Sequence, residues 1–82
     1  MGQVDYTGLV RTLVEPIVEH KDDVSIEEVE GENGVPCVEV RVHEDDAGKV
    51  IGRQGRVIKA IRTLARAAAT RVGEHVDVEL LD

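Results

Sequence analysis

An α+β fold, with three helices on one face of a three-stranded mixed sheet, follows from three features of the sequence. Residues 37–43 and 75–80 alternate apolar and polar: Val38, Val40 and Val42 share one side of the first run, and Val76, Val78 and Leu80 share one side of the second. That is the period of a strand with one buried face. Residues 56–72 instead repeat apolar side chains at Val57, Ile58, Ile61, Leu64, Ala65, Ala68 and Val72, the period of an amphipathic helix. Between two strand-like segments, "GENG" at 31–34 is turn chemistry, which makes those strands an antiparallel hairpin. The predicted order is α-β-β-α-α-β, and the helical crossover lets the last two strands lie parallel.

Taken along the chain, the first helix is predicted over 6–18, where Tyr6, Leu9, Val10, Leu13, Val14, Ile17 and Val18 form a stripe and Asp5 is the expected cap. Pro16 sits inside that stripe and predicts a kink or an early end, because it lacks a donor and crowds the carbonyl of Thr12. In "DVSIEEVEG", Val24 and Ile26 alternate but Val29 is out of step, which predicts a bulge near Glu27 and Glu28. Pro36 stands at the start of the next strand, where proline is tolerated. A short helix follows, expected to be capped by Asp45 or Asp46 and stopped by Gly52; Gly73 ends the long one.

With 82 residues, 41% hydrophobic and 33% charged, the chain is sized for one domain spanning 1–82 and too apolar to stay disordered. Tyr6 is the only aromatic, which argues against a binder that stacks bases on rings. The lone Cys37 has no disulfide partner and reads as a buried small hydrophobe in a reducing, cytoplasmic setting. The first residues match neither a secretory signal nor a myristoylation motif, and no stretch has the length of a membrane span, so neither a membrane nor a lipid anchor is expected.

Charge is distributed unevenly. The formal net charge is −7, yet between Ala47 and Gly73 stand Lys49, Arg53, Arg56, Lys59, Arg62, Arg66 and Arg71 without one acid. All 17 acids lie elsewhere with only three bases, a local balance of −14 against +7. Arg56, Lys59, Arg62 and Arg66 are expected in one arc opposite the apolar stripe. A face that only solubilises a helix mixes signs and gains from Glu–Lys pairs four apart; this one does neither, which favours an anion-binding face. Gly52 and Gly55, with Arg53 and Gln54 between them, lie between two predicted helices. Glycine reaches left-handed backbone angles and carries no Cβ, so such a turn lets another chain approach its peptide groups, and the next helix offers unpaired amides and a positive dipole end.

"VIGRQGRVIKAI" resembles the signature of the KH-domain family, and the element order resembles the bacterial, type II form of that fold. The likeness runs over essentially the whole chain and is strongest to the small stand-alone KhpA branch, across "GKVIGRQGRVIKAIRTLARAA". It implies a cytoplasmic protein that holds about four nucleotides of single-stranded RNA. Gly52, Arg53, Gln54 and Gly55 are then the backbone-gripping loop; Lys49, Arg56 and Lys59 are phosphate contacts; Val50, Ile51 and Ile58 belong to the groove floor or the core beneath it. It also implies a homodimer or a mixed pair with a KhpB-like protein, for which Ala67 and Ala69, outside the main stripe, would allow close helix approach.

Two competing binding readings are a helix-hairpin-helix on duplex DNA, whose glycines usually stand two apart, and an interaction module that has lost RNA binding. An enzyme is not expected. The loop lacks the Lys-Ser/Thr ending of a nucleotide loop and the third glycine of a dinucleotide fingerprint. His20, His43 and His75 have no metal-ligand spacing, and no cofactor, metal or small-molecule substrate is implied.

Overall fold

The computed structural model describes residues 4–81 and has the predicted order of elements. Helix α1, Tyr6–Val14, opens at Asp5, whose carboxylate accepts from the Gly8 amide at 3.0 Å and the Thr7 hydroxyl at 2.9 Å. Those two bonds hold the Asp5 carboxyl below its ordinary range. The helix stops at Val14, and Glu15–Ile17 form a turn, so Pro16 ends it early rather than kinking it. Val18 still reaches the core from beyond the helix.

Strand β1, Ser25–Glu30, pairs antiparallel with β2, Pro36–Arg41, in an unbroken register from Ser25↔Arg41 to Glu30↔Pro36. The expected bulge at Glu27 and Glu28 is absent. Val29 is out of step because it faces the sheet's open side, where it pairs with Cys37 and both are half-buried. Cys37 is therefore not the core residue the sequence suggested; partial burial, with Glu79, Asp77 and Glu39 nearby, pushes its thiol pKa up. The hairpin turn takes positive φ at Asn33 and Gly34. Strand β3, Asp77–Leu81, lies parallel to β2 from Cys37↔Asp77 to Arg41↔Leu81, so β2 is central in a sheet of order β1-β2-β3.

Helix α2, Glu44–Ile51, and helix α3, Arg56–Arg71, complete the layer over the sheet. Tyr6, Val10 and Val14 of α1, Ile26, Val38, Val40 and Val78 of the sheet, Val50 of α2 and Ile58, Ile61, Ala65 and Ala69 of α3 form the core. On α3 two expectations are corrected. Leu64 and Val72 are 50% and 40% exposed, whereas Ala69, read as lying outside the stripe, is fully buried. Leu64 lies about 100° round the helix from the centre of the buried face, and Val72 lies past its last turn. Where α3 crosses the core at Ala65 and Ala69, small side chains permit close approach.

Gly73, at φ 75°, ends α3; its own amide reaches Thr70 O and that of Glu74 reaches Ala69 O. This returns the chain toward α1, where the Tyr6 hydroxyl donates to the Glu74 carboxylate. Burial and that carboxylate push the Tyr6 pKa up to about 12. Among the described residues no helix is long and apolar enough to cross a membrane.

Candidate functional site

The site is built on α2, whose start is secured from within the chain. Its N-cap is His43, not Asp45 or Asp46: the His43 Nδ1 accepts from the Asp45 amide at 3.0 Å. Asp46 is thereby free to turn inward and is completely buried. Its carboxylate accepts from the Glu19 amide at 3.1 Å, the His20 amide at 2.9 Å and the His20 Nδ1 at 3.1 Å. Burial alone would raise its pKa, but the His20 and Glu19 amides and the His20 ring outweigh that and hold it well below the usual carboxylate range. An ionised, fully paired Asp46 thus ties the chain after α1 to the first turn of α2, while Val50 anchors the last turn in the core. Sequence reasoning missed the cap at His43 and the inward role of Asp46, since adjacent aspartates at a helix start look alike until the partner loop at 19–20 distinguishes them.

At the other end of α2 the two glycines act differently. Gly52 gives its amide to Gly48 O at 2.8 Å and then takes φ 78°, ψ 174°, a region open essentially to glycine alone. A Cβ there would lie 2.4 Å from Val57 Cγ2 and 2.8 Å from the Val57 nitrogen. Arg53–Gly55 form one 3-10 turn, with Gln54 at φ 57° and Gly55 at φ 73°. A Cβ on Gly55 would meet only the Lys59 Cε, at 3.9 Å. Gly52 is pressed against the start of α3; Gly55 faces open space.

Helix α3 starts without the devices that open α1 and α2. Its N-cap Gly55 has no side chain to offer, and no acid stands in its first turn. Arg56 and Lys59 stand there instead, against the helix dipole. The Arg56 guanidinium donates to the Gln54 side-chain oxygen at 3.0 Å. Among the described residues, Arg53 and Lys59 have no hydrogen-bond or carboxylate partner, and both are exposed.

The remaining predicted site residues are not equivalent. Lys49 is paired with Glu19 and lies 3.6 Å from Asp46; the Glu19 bond, above all, raises its pKa. Val50 and Ile58 are core residues, whereas Ile51, 43% exposed, faces out beside the turn. Arg62 and Arg66, expected on the same outward arc as Arg56 and Lys59, bend toward β3. Arg62 donates to Val78 O at 2.8 Å and Arg66 pairs with Asp77. Arg53, Arg56 and Lys59, none of them with a carboxylate partner among the described residues, therefore stand together around the turn; Arg41, at the end of β2, and Arg71, at the far end of α3, are likewise without one.

Comparison with known proteins gives the family of the chain. A family model described as KhpA/KhpB, KH domain, matches residues 7–80. The chain is 40% identical over 74 residues to an RNA-binding protein KhpA of Borreliella burgdorferi, covering 90% of this chain and 89% of that one. It is 42% identical over 73 residues to the KhpA of Clostridium acetobutylicum, with 89% and 96% covered, and 39% identical over 74 residues to that of Bacillus subtilis, with 90% of each covered. These relatives are named as binding proteins and not as enzymes. Among solved structures, the chain superposes on Aquifex aeolicus Era with a TM-score of 0.62 at 23% identity, over 92% of this chain and 29% of that one. A second Era structure, in complex with MgGDPNP and nucleotides 1506–1542 of 16S ribosomal RNA, gives 0.63 at 23% identity, over 92% and 28%. The chain spans less than a third of Era, and that likeness speaks for the fold. With the family model covering nearly the whole chain and the curated relatives aligned over about nine-tenths of it, the protein belongs to the KhpA/KhpB family of KH domains.

Proposed function

We propose that the chain is a single KH domain that binds single-stranded RNA through the sugar-phosphate backbone at the turn between α2 and α3. The observation that carries this reading is the start of α3, a helix N-terminus with no capping side chain and no acid, ringed by Arg53, Arg56 and Lys59. The Gly55 and Arg56 amides are satisfied within the turn by Gly52 O and Arg53 O, so the attraction for an anion comes from the uncompensated helix dipole and the cations around it. Gly52 and Gly55 shape the turn, Arg53 and Gln54 reach the backbone, Arg56 and Lys59 hold phosphates, and Ile51 offers an apolar surface to a base. Val50 and Ile58 support that surface from the core, and Lys49 joins the contacts by exchanging Glu19 for a phosphate. The printed names of the relatives, RNA-binding protein KhpA, support the choice of RNA.

Within this reading the protein acts in the cytoplasm as an RNA chaperone or post-transcriptional regulator, as a homodimer or paired with a KhpB-like protein. The family model's joint name, the exposed Leu64 and Ala67 of α3 and the exposed Val72 just beyond it support pairing. Two linked sites would raise the effective concentration for the second contact. Fluorescence anisotropy with a labelled single-stranded RNA, competed by unlabelled RNA or duplex DNA of equal length at low salt, tests the function. RNA should displace the probe at least about tenfold more effectively, since a backbone clamp fitted to one strand gains little from a duplex. Equal competition would favour the helix-hairpin-helix reading, and no binding at low ionic strength would remove the proposal.

A further inference from the structure

His20 and His43 are 23 residues apart in sequence, yet their rings stack with centroids 3.9 Å apart and planes 12° from parallel. Asp45 lies beside them, its Oδ2 3.6 Å from the His43 Nδ1. One potential ligand atom from each of the three residues falls within 4.8 Å of the other two. All three side chains are partly or largely exposed, His20 by 41% and Asp45 by 68%.

The chemistry of the donors is specific. The Asp46 carboxylate accepts from the Glu19 and His20 amides and faces the His20 Nδ1 at 3.1 Å, which places the His20 proton on Nδ1 and leaves the lone pair on Nε2. A buried carboxylate behind an imidazole is the arrangement that orients metal-binding histidines and raises their basicity. His43 uses its Nδ1 lone pair to cap α2, so that nitrogen already carries the electrons a metal ion needs. Donors at about 2.0–2.2 Å from one ion stand about 3–3.5 Å apart; because imidazole lone pairs lie in the ring planes, binding requires the exposed His20 ring to rotate out of the stack so that its lone pair converges with that of His43, and the exposed Asp45 to follow. Glu44, Asp45 and Asp46 at this end of α2 supply a negative field.

From this juxtaposition we infer that His20, His43 and Asp45 form a site for a divalent ion of borderline softness, of the zinc or nickel class, completed by water. Two imidazoles and one carboxylate suit such ions and do not suit magnesium, which selects oxygen ligands. Because His43 must exchange its bond to the Asp45 amide for the metal, the affinity is modest. The ion would join the segment after α1 to the start of α2, at the end of α2 opposite the glycine turn, so this inference stands independently of RNA binding.

Calorimetric titration of the full chain with Zn2+, alongside proton NMR of the histidine rings, tests it. The expected result is one ion per chain, with His20 and His43 signals shifting together and His75 unmoved. His43→Asn keeps a good helix cap while removing the ligand, and His20→Gln removes the other; each should weaken binding at least about tenfold, while His75→Gln leaves it unchanged. Absence of Zn2+ binding, binding that survives both substitutions, a moving His75 signal, or an equal response to Mg2+ would each overturn the site.

Discussion

Helices α2 and α3 begin in opposite ways, although fewer than a dozen residues separate their starts. At α2 the His43 ring caps the amides, Glu44, Asp45 and Asp46 complement the dipole, and Asp46 takes two further amides from the preceding loop. At α3 the cap is a glycine, acids are absent, and Arg56 and Lys59 add positive charge where the dipole is already positive. Each such mismatch costs a helix roughly 0.3–1 kcal/mol. A chain able to build the first kind of start spends none of its 17 acids on the second. The first start is complete within the molecule, and the second is left with neither a capping side chain nor an acid.

The sharpest way to break this contrast is to remove the bend that creates the second start. Gly52→Ala combines a backbone region reserved for glycine with a collision at Val57, and should destabilise the fold by about 3 kcal/mol in urea unfolding. Gly55→Ala meets open space and should cost only about 1 kcal/mol for its left-handed backbone. Equal costs at the two glycines would mean that the turn is not built as described.

Next in size, Arg53→Asp combined with Gln54→Asp should weaken RNA binding by at least about 30-fold, or about 2 kcal/mol, with the far-ultraviolet circular dichroism unchanged. Persistent binding would place the contact elsewhere. The mirror experiment is Asp46→Asn, which presents amide hydrogens to backbone donors. It should lower the melting temperature by roughly 10 °C while changing RNA affinity of the folded protein less than about threefold.

Acid titration probes the same carboxylate. Asp46 binds its proton less tightly in the folded than in the unfolded chain. Its stabilisation is therefore present in full above about pH 4 and is lost as the pH falls below that. The unsubstituted protein should lose stability through this range more steeply than Asp46→Asn, as chemical unfolding at several pH values would reveal. The smallest effect belongs to Arg66→Gln: its ion pair with Asp77 is more than half exposed, so stability should change by under about 0.5 kcal/mol and RNA affinity by less than about twofold.

Much of the fold was legible because β2, β3 and α3 obey simple periods: Val38 and Val40, then Val78, then Ile58, Ile61 and Ala65 are buried where alternation or helical spacing puts them. Periodicity failed where the burying surface was not what it assumes. Val29 packs on a sheet face that the helices leave open, so its phase looked like a bulge. Leu64 and Ala69 exchanged roles because a three-stranded sheet covers only a narrow stripe of α3, and side-chain size at a close crossing outweighs hydrophobicity there.

The site shows the same division. The glycine spacing and the absence of acids were visible in the sequence, but which cations are free was not. Lys49, Arg62 and Arg66 find partners at Glu19, Val78 and Asp77, all brought near by tertiary structure. His20 and His43 met for the same reason, through two segments joined by Asp46.

The central claim is that the open start of α3, and not the helix as a whole, carries the attraction for a nucleic-acid strand. The most direct measurement is the dependence of single-stranded RNA affinity on salt for the unsubstituted protein, for Arg53→Ala/Arg56→Ala/Lys59→Ala, and for Arg62→Ala/Arg66→Ala. Each lost phosphate contact on a single strand reduces the log–log slope by about 0.7, so the first variant should lose about 2 units of slope and the second less than about 0.7. Equal losses in the two variants, or a slope unchanged by the first, would contradict the account.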